Sequence, residues 1–428
     1  MSNPKKSPVS ASAERQTPMR CYCEPASPVP VNWITERPLS VKVTPLRRRV
    51  DVDEGDRTPH RPMVNFVRRA LNAIAHPCLK CATAMAIEYE VRDGALVWIK
   101  NPVTGVISYV VDVRGKSFAF TLGGREELNP DPPPLDEKTL ANAIRSCPFC
   151  PGNEAQAPSE LMRVTPAEIP GWTGAGKSEG ASWAIRVFNN LFPRIPEQLT
   201  GGRNESYVVV EDPRHFLDHP RSVNDLTFTG ALGEEHFFHL IMTDVRLMRH
   251  VFRNSAVHSV VIRKNQGRES GASQPHPHQQ MIGSPAPLPV VEAEMAAEDR
   301  HPGLWNELIE LVDRLGLIIE RADGVVSYSS PIGAFPRSYD VVMPEYRGLL
   351  TDLSPDELRP FARSIYRILR ILGPLPLDYE IHQGAGLPLH AHLNGRLYPY
   401  SNVAGTLNLP SVLPQNVAAL RKALARST

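Results

Sequence analysis

The pattern of apolar and polar positions in the middle of the chain predicts several strands and one long helix. The helix, over 233–252, places apolar side chains three or four residues apart, which is the spacing of one buried helix face. Short runs rich in β-branched and aromatic residues predict strands on both sides of this helix. The predicted strands cover 183–188, 207–210, 257–263 and 280–283.

A second set of elements follows in a similar order. It comprises a helical region over 290–315 interrupted near His301, β-rich segments over 317–328 and 338–343, a helix over 355–372, a strand over 389–393 and a closing helix over 415–425. Each half therefore runs from strands through a helix to a strand that carries a His-x-His sequence. Strands and helices mixed without regular βαβ alternation favour an α+β fold with antiparallel sheets.

The first part of the chain differs in composition from the rest. Residues 1–62 are rich in Pro, Ser, Thr, Arg and Lys and have few periodic apolar positions, which predicts a disordered or loosely attached tail. Two β-like runs, 86–100 and 105–120, flank a turn, and a short helix is predicted over 136–145. The predicted division is a tail over 1–62, a first half over 63–289 and a second half over 290–428.

Charge and hydropathy restrict the classes of partner. The 428 residues carry a formal net charge of +1, so the composition gives no reason to expect nucleic acid or an anionic membrane as a partner. No apolar run has transmembrane length, and no export signal is recognised near Met1. These features predict a soluble cytoplasmic protein whose phosphate-binding groups, if any, are local.

The cysteines suggest a metal site. Six are present, and they occur in close pairs, once as C-x-C and twice as C-x-x-C, which in a chain without an export signal argues against a disulfide framework. Cys147 and Cys150 are close enough in sequence to chelate one tetrahedral ion, and His215 and His276 are candidates for the other two ligands of a zinc site. The alternative is a pair of free thiols.

A second group of polar residues is typical of phosphoryl chemistry. His276, His278 and Gln280 are spaced two apart, so on a strand they face the same side. One imidazole can hold a metal while the other, largely unprotonated at neutral pH, acts as a nucleophile toward phosphorus. The Gln280 amide can donate a hydrogen bond to the phosphoryl oxygens. The alternative is a buried, hydrogen-bonded histidine pair.

The loop before these residues, 265–273, is rich in small side chains. Gly267 and Gly271 permit close approach of the backbone to a phosphate, and Asn265 and Ser273 offer hydrogen bonds. Taken alone, the loop is better explained as an ordinary surface turn.

Together, the segments 147–153, 184–193, 209–215 and 265–280 resemble galactose-1-phosphate uridylyltransferase, of the histidine-triad superfamily. The resemblance covers about residues 85–428. It implies two histidine-triad-like halves, each an antiparallel sheet with flanking helices, and a homodimer. It also implies zinc on His276, a nucleophile at His278, a phosphoryl stabiliser at Gln280, a nucleotide contact at Asn190 and a phosphate contact at Arg114.

The same resemblance implies a second, structural metal site. Glu294 and three histidines of the second half, His382, His390 and His392, match the positions of a glutamate and three histidines that bind metal in some members. One carboxylate and three imidazoles suit iron or zinc. The alternative is that His390 and His392 line a vestigial nucleotide site.

Three features depart from the family pattern. Gln279 stands where glycine is usual, the loop between His382 and His390 is short, and 402–407 lacks the expected aromatic-plus-glutamate pair. In the family, the contacts made by the segment equivalent to 402–407 select the sugar. The sequence therefore does not identify which sugar is used.

The predicted function is nucleotidyl transfer by a ping-pong reaction. A nucleoside monophosphate, with UMP expected, would move between a nucleotide sugar and a sugar 1-phosphate through a covalent adduct on His278. One alternative is a phosphorylase of the same superfamily, with inorganic phosphate as acceptor. Others are a hydrolase, in which water attacks the adduct, and a non-catalytic nucleotide-binding protein.

Overall fold

The structure is a computed structural model, which describes residues 86–110, 136–172, 182–335, 337–396, 407–408 and 412–426. The predicted tail over 1–62, the phosphate contact Arg114 and residues 402–406 of the segment 402–407 lie outside the described residues. No described helix is both long and apolar enough to cross a membrane.

Ten antiparallel strands form one continuous sheet in the order β4-β5-β6-β8-β7-β12-β13-β11-β10-β9. The strands of the first half are β4 (Glu160–Val164), β5 (Ile185–Asn189), β6 (Ser206–Val210), β7 (Ser259–Gln266) and β8 (His278–Ser284). Those of the second half are β9 (Ile318–Ala322), β10 (Val325–Ser329), β11 (Arg337–Met343), β12 (Leu377–Gly384) and β13 (Leu387–Gly395). A smaller sheet contains β1 (Tyr89–Arg92), β2 (Ala95–Lys100), β3 (Ile107–Val110) and β14 (Leu407–Asn408).

The two halves repeat one topology about the centre of the large sheet. In each half three strands form a meander, a long helix follows, and a two-strand hairpin lies next to the third strand. The inner strands β7 and β12 pair with each other, with Tyr379 opposite Lys264 and Glu380 opposite Arg263. The predicted α+β fold with antiparallel halves is confirmed, and the sheets of the two halves join along this pair of strands.

Helices cover both faces of the sheet. The described helices are α1 (Glu137–Ser146), α2 (Glu234–Val251), α3 (Pro289–Arg300), α4 (Leu304–Arg314), α5 (Pro355–Leu372) and α6 (Val412–Leu424). Helices α2 and α5 lie on one face, called here the helix face, where Phe237, Leu240 and Phe361 are fully buried in the main core. Helix α5 begins at a capping box in which Ser354 accepts a hydrogen bond from the Glu357 amide.

The opposite face, called here the site face, carries the polar residues of β8, β7 and β12. In the second half α3 and α4 pack on this face, and Trp305 and Leu308 join a second apolar cluster with Tyr328 and Val342. Alternate residues of each strand therefore contact different helices, because successive side chains of a strand point to opposite faces.

Two strands of the large sheet were missed in the sequence. Strand β4, Glu160–Val164, exposes Leu161 and Arg163 and forms an edge of the large sheet. Strand β12 alternates Leu377, Tyr379 and Ile381 with Asp378 and Glu380, so its period of two was available in the sequence.

Candidate active site and metal centres

Four side chains from three separate parts of the chain converge beside the start of β8. Cys147 and Cys150 come from the turn after α1, His215 follows β6, and His276 precedes β8. The Cys150 Sγ lies 3.3 Å from the His215 Nδ1 and 3.6 Å from the His276 Nδ1, and the two Nδ1 atoms are 3.4 Å apart. The Cys147 Sγ lies 3.7 Å from the His276 Nδ1.

These separations fit a tetrahedral ion. Zinc bonds of about 2.3 Å to sulfur and about 2.1 Å to nitrogen place the ligand atoms of a tetrahedron roughly 3.4–3.8 Å apart. The His276 Nε2 lies 2.6 Å from the carbonyl oxygen of Asp212 and donates to it, which leaves the Nδ1 lone pair directed at the cluster. All four residues are buried, and neither cysteine is in a disulfide.

The two neighbouring thiols have pKa values shifted in opposite directions. The hydrogen bond from Cys150 lowers the pKa of Cys147 far below its usual value, and the same contact, with burial, raises the pKa of Cys150. A divalent cation would stabilise both thiolates at once, so binding would release a proton.

His278 lies next to this cluster and is held in one tautomer. Its Nδ1 donates to the carbonyl oxygen of His276 at 2.9 Å, so the Nε2 carries the lone pair. Burial, assisted by the charge of Lys264, lowers the pKa of His278 to about 4. The Phe149 ring lies edge-on to the imidazole at 5.4 Å between centroids. A neutral imidazole with its Nε2 free is the form that a nucleophile requires.

Gln279, where the family usually has glycine, points away from His278. Its amide lies on the helix face and donates to both carboxyl oxygens of Asp244, at 2.6 and 2.7 Å. The Tyr379 hydroxyl of β12 donates to the side-chain carbonyl oxygen of Gln279. Burial raises the pKa of Asp244 well above its usual value. The Gln279 side chain, which glycine lacks, is therefore accommodated on the helix face of the sheet and not in the site.

A buried ion pair lies beside this network and was also missed in the sequence. The Lys264 Nζ donates to Glu211 at 2.6 Å, and Thr229 donates to the other oxygen of the same carboxylate at 2.7 Å. Burial lowers the pKa of Lys264, although the Glu211 carboxylate opposes this shift. The alternation of side chains along a strand could have indicated this pair. Lys264 and Gln279 are polar, yet they occupy positions of their strands that face the helices.

On the site face, the structure brings together part of the predicted phosphate site. Gln280 is half-buried on β8, two residues beyond His278. The Asn265 side chain donates to the Ser270 carbonyl oxygen at 2.6 Å and so fixes the loop. Gly271, at a φ of +89°, closes a short 3-10 turn where a side chain would be strained, and Ser273 is exposed.

The predicted nucleotide contact, Asn190, lies farther from His278 than the residues of the phosphate site do. It follows β5, which β6 separates from β8, and its backbone N–H donates to the carbonyl oxygen of Ser206. Ser206 is opposite Ile282, so Asn190 is near the far end of β8 from His278. A contact between Asn190 and the transferred nucleotide therefore requires a ligand extending across the strands.

The predicted second metal cluster also assembles on the site face. The Glu294 carboxylate of α3 lies 2.9 Å from the His382 Nδ1, 3.6 Å from the His390 Nε2 and 3.5 Å from the His392 Nε2. The His390 Nδ1 donates to the Pro388 carbonyl oxygen. The described residues provide no hydrogen-bond partner for the buried His390 Nε2, which is therefore directed at the centre of the cluster without one.

Electrostatics at this cluster are those of a cation site. Burial opposes charge on each group. The three surrounding histidines, with the His382 Nδ1 at hydrogen-bond distance, nevertheless lower the pKa of Glu294. Asp340, 2.7 Å from the His392 Nδ1, helps to raise the pKa of His392 to about 10. A divalent cation would replace these protons. Asp340 was missed in the sequence because only strand pairing places it opposite His392.

Removal of the carboxylate should empty this second cluster selectively. We expect Glu294→Gln to lower the metal content of the purified protein from two ions per chain to one, because a neutral amide is a much poorer ligand than a carboxylate for divalent iron or zinc. Elemental analysis by mass spectrometry measures the content. The matched control is Glu292→Gln, an exposed carboxylate two residues away on α3, which should retain both ions. Two ions in both variants would contradict the assignment.

Comparison with known proteins gives one curated relative. No family model matches the chain. The chain is 27% identical over 210 residues to ADP-glucose phosphorylase of Arabidopsis thaliana, a match that covers 46% of this chain and 50% of the relative. The chain thus spans about half the length of the curated relative that it matches.

Solved structures share the fold over more of the chain. A crystal structure of ADP-glucose phosphorylase from Arabidopsis thaliana with bound ADP-glucose superposes with a TM-score of 0.53 at 18% identity, covering 76% of this chain and 98% of that one. A uridylyltransferase mutant superposes with a TM-score of 0.50 at 19% identity, covering 67% and 96%. The resemblance to proteins of the galactose-1-phosphate uridylyltransferase type is confirmed at the level of the fold.

Proposed function

We propose that this protein transfers a nucleoside monophosphate from a nucleotide sugar to a phosphate-bearing acceptor through a covalent adduct on His278. The observation that carries the proposal is the placement of that imidazole, which is buried beside the Cys-His cluster and tethered through its Nδ1 to the His276 carbonyl oxygen. The described residues give its Nε2 no hydrogen-bond partner, and its lowered pKa favours the neutral ring. The fold shared with a nucleotide-sugar phosphorylase and a uridylyltransferase supports the same reaction class.

In the first step the Nε2 of His278 attacks the α-phosphorus of the donor. A P–N bond forms, the P–O bond to the bridging oxygen breaks, and its electron pair stays on the departing sugar phosphate. The proton stays on the Nδ1, hydrogen-bonded to the His276 carbonyl oxygen, so the ring carries the positive charge that the new bond creates. In the second step an acceptor phosphate oxygen attacks the same phosphorus and the P–N electron pair returns to the Nε2.

Neighbouring residues are assigned supporting roles. The Gln280 amide would stabilise the crowded phosphoryl oxygens, while Asn265, Gly271 and Ser273 would hold the adjoining phosphate. Asn190 would contact the nucleoside. Arg114 stays a prediction for a further phosphate contact. Cys147, Cys150, His215 and His276 would hold zinc, which supplies rigidity to the segment that carries His278.

Two acceptors are open within this mechanism. The name of the curated relative favours inorganic phosphate as acceptor and adenine as base, whereas uridylyl transfer to a sugar 1-phosphate is the reaction expected from the sequence. A phosphate acceptor would release a nucleoside diphosphate, and a sugar 1-phosphate would release a new nucleotide sugar. The expected homodimer and cytoplasmic location stay predictions.

Intact-mass spectrometry of the full chain tests the proposal. We expect incubation with UDP-glucose or ADP-glucose to add the mass of one nucleoside monophosphate. The reason is that the Nε2 takes up the nucleotidyl group in the first step, before any acceptor reacts. The donor that labels the protein identifies the base. The isolated adduct is then given inorganic phosphate, glucose 1-phosphate or buffer alone.

Each outcome of this experiment has one meaning. Discharge by phosphate indicates a phosphorylase, discharge by glucose 1-phosphate a transferase, and discharge in buffer a hydrolase. Absence of an adduct with a panel of nucleotide sugars, together with nucleotide binding by calorimetry, would contradict the proposal and support a binding protein.

A further inference from the structure

Arg263 is a cation on the site face, directly beside the proposed phosphoryl stabiliser. On β7 it pairs across the ladder with Gln280 of β8 on one side and with Glu380 of β12 on the other. Directly opposed residues of antiparallel strands have Cβ atoms about 5 Å apart. Arg263 and Gln280 are therefore within reach of one ligand.

The Arg263 guanidinium is only partly satisfied. Its Nη2 donates to the Asn265 side-chain oxygen at 2.8 Å, whereas its buried Nε finds no hydrogen-bond partner among the described residues. No described carboxylate lies within ion-pair distance of it, and the opposite residue Glu380 lies 3.6 Å from the His382 Nε2. The contact with His382, supplemented by the charge of Arg263, lowers the pKa of Glu380. Lys264, the next residue along β7, faces the helix side and is paired with Glu211.

The contrast between the paired Lys264 and the partly satisfied Arg263 indicates that the charge of Arg263 binds a ligand and does not serve the fold. A half-buried guanidinium with an unpaired N–H costs free energy unless an anion completes its hydrogen bonds. The planar fork of arginine matches a phosphate, and the fixed contact to Asn265 orients it in advance. The residues that the proposed reaction uses, Gln280 and Asn265, are its immediate neighbours.

We propose that Arg263 binds the phosphate next to the transferred one, namely the β-phosphate of the donor and the phosphate group of the acceptor. This inference rests on the proposed function. When the Nε2 of His278 displaces that phosphate, the bridging P–O bond breaks and the departing phosphate gains one negative charge. A guanidinium beside Gln280 stabilises that charge as it develops.

The test compares two donors that deliver the same nucleotidyl group. One is the nucleotide sugar that labels the wild type, and the other is the corresponding nucleoside 5′-phosphorimidazolide, which has no second phosphate. In Arg263→Met we expect the rate of adduct formation from the nucleotide sugar to fall by about 10- to 100-fold, the usual effect of losing a charged hydrogen bond. The rate from the phosphorimidazolide should stay within about twofold of wild type, since no phosphate contact is lost.

Two further variants complete the design. Arg263→Lys keeps the charge without the fork and should recover part of the nucleotide-sugar rate. Arg321→Met, on the edge strand β9, removes an exposed arginine that pairs with Asp313 and should change neither rate. Thermal unfolding and metal content verify that each variant is folded.

The outcomes separate this inference from the function on which it rests. Equal loss with both donors would overturn it, because Arg263 would then be a scaffold for Gln280 and Asn265. Unchanged rates with both donors would overturn it as well, while leaving the proposed function in place. If the wild type forms no adduct with either donor, the proposed function fails and the role of Arg263 falls with it.

Discussion

Replacement of His278 by glutamine is expected to abolish adduct formation and to lower kcat by about 10⁴- to 10⁶-fold, the size of effect seen when a covalent nucleophile is removed. The reason is chemical, because a carboxamide nitrogen has no basic lone pair with which to attack phosphorus. Glutamine also fills most of the buried space and can donate to the His276 carbonyl oxygen, as the Nδ1 does at 2.9 Å. The substitution should therefore lower kcat and leave the fold intact.

Steady-state kinetics and intact mass measure this effect. Nucleotide binding by calorimetry, thermal unfolding and zinc content should remain close to wild type in His278→Gln. The matched control is His258→Gln, an exposed histidine just before β7, which should keep full activity. Retention of an adduct or of substantial turnover by His278→Gln would rule out this residue as the nucleophile.

Loss of the first metal centre should have the second largest effect. Cys150→Ser is expected to remove one zinc ion per chain, to lower the free energy of unfolding by roughly 4 kcal/mol, and to lower kcat by about 100-fold. The chain of contacts explains the loss of activity. The cluster holds His276, and the carbonyl oxygen of His276 accepts the hydrogen bond that fixes the tautomer of His278.

Elemental analysis, chemical denaturation and kinetics on the same preparation check this expectation. Ser146→Ala, at the last residue of α1 and beside Cys147, removes an exposed hydroxyl that donates to the Ala143 carbonyl oxygen, and should be neutral in all three measurements. A Cys150→Ser protein that retains its zinc and full stability would show that the four residues are not a metal centre. Loss of zinc with unchanged kcat would break the proposed link from His276 to His278.

The periodic elements were largely predictable from the sequence. The helix predicted over 355–372 matches α5, Pro355–Leu372, and that over 233–252 matches α2, Glu234–Val251, to within one residue at either end. Amphipathic spacing and caps are local properties, so neighbouring residues suffice to predict them. Strand β12 shows the limit of that approach, because charged residues on its site face concealed an alternation that was present.

The sequence by itself determined which residue types were available for chemistry: the C-x-x-C pair, the His-x-His-x-Gln run and the small-residue loop. Only the tertiary structure decided what each of them contacts. It brings Cys147 to His276 across 129 positions, pairs β7 with β12, and places Asp340 beside His392. It also turns Gln279 toward the helix face and leaves Arg263 beside Gln280 on the site face.

The physical reason for this division is the range of the interactions. Helix and strand periodicity depends on residues a few positions apart, whereas hydrogen-bond partners, burial and pKa values depend on groups that the chain brings together from distant positions. The low pKa of His278, for example, arises from burial and from the charge of Lys264 on the neighbouring strand β7. No local pattern contains that information.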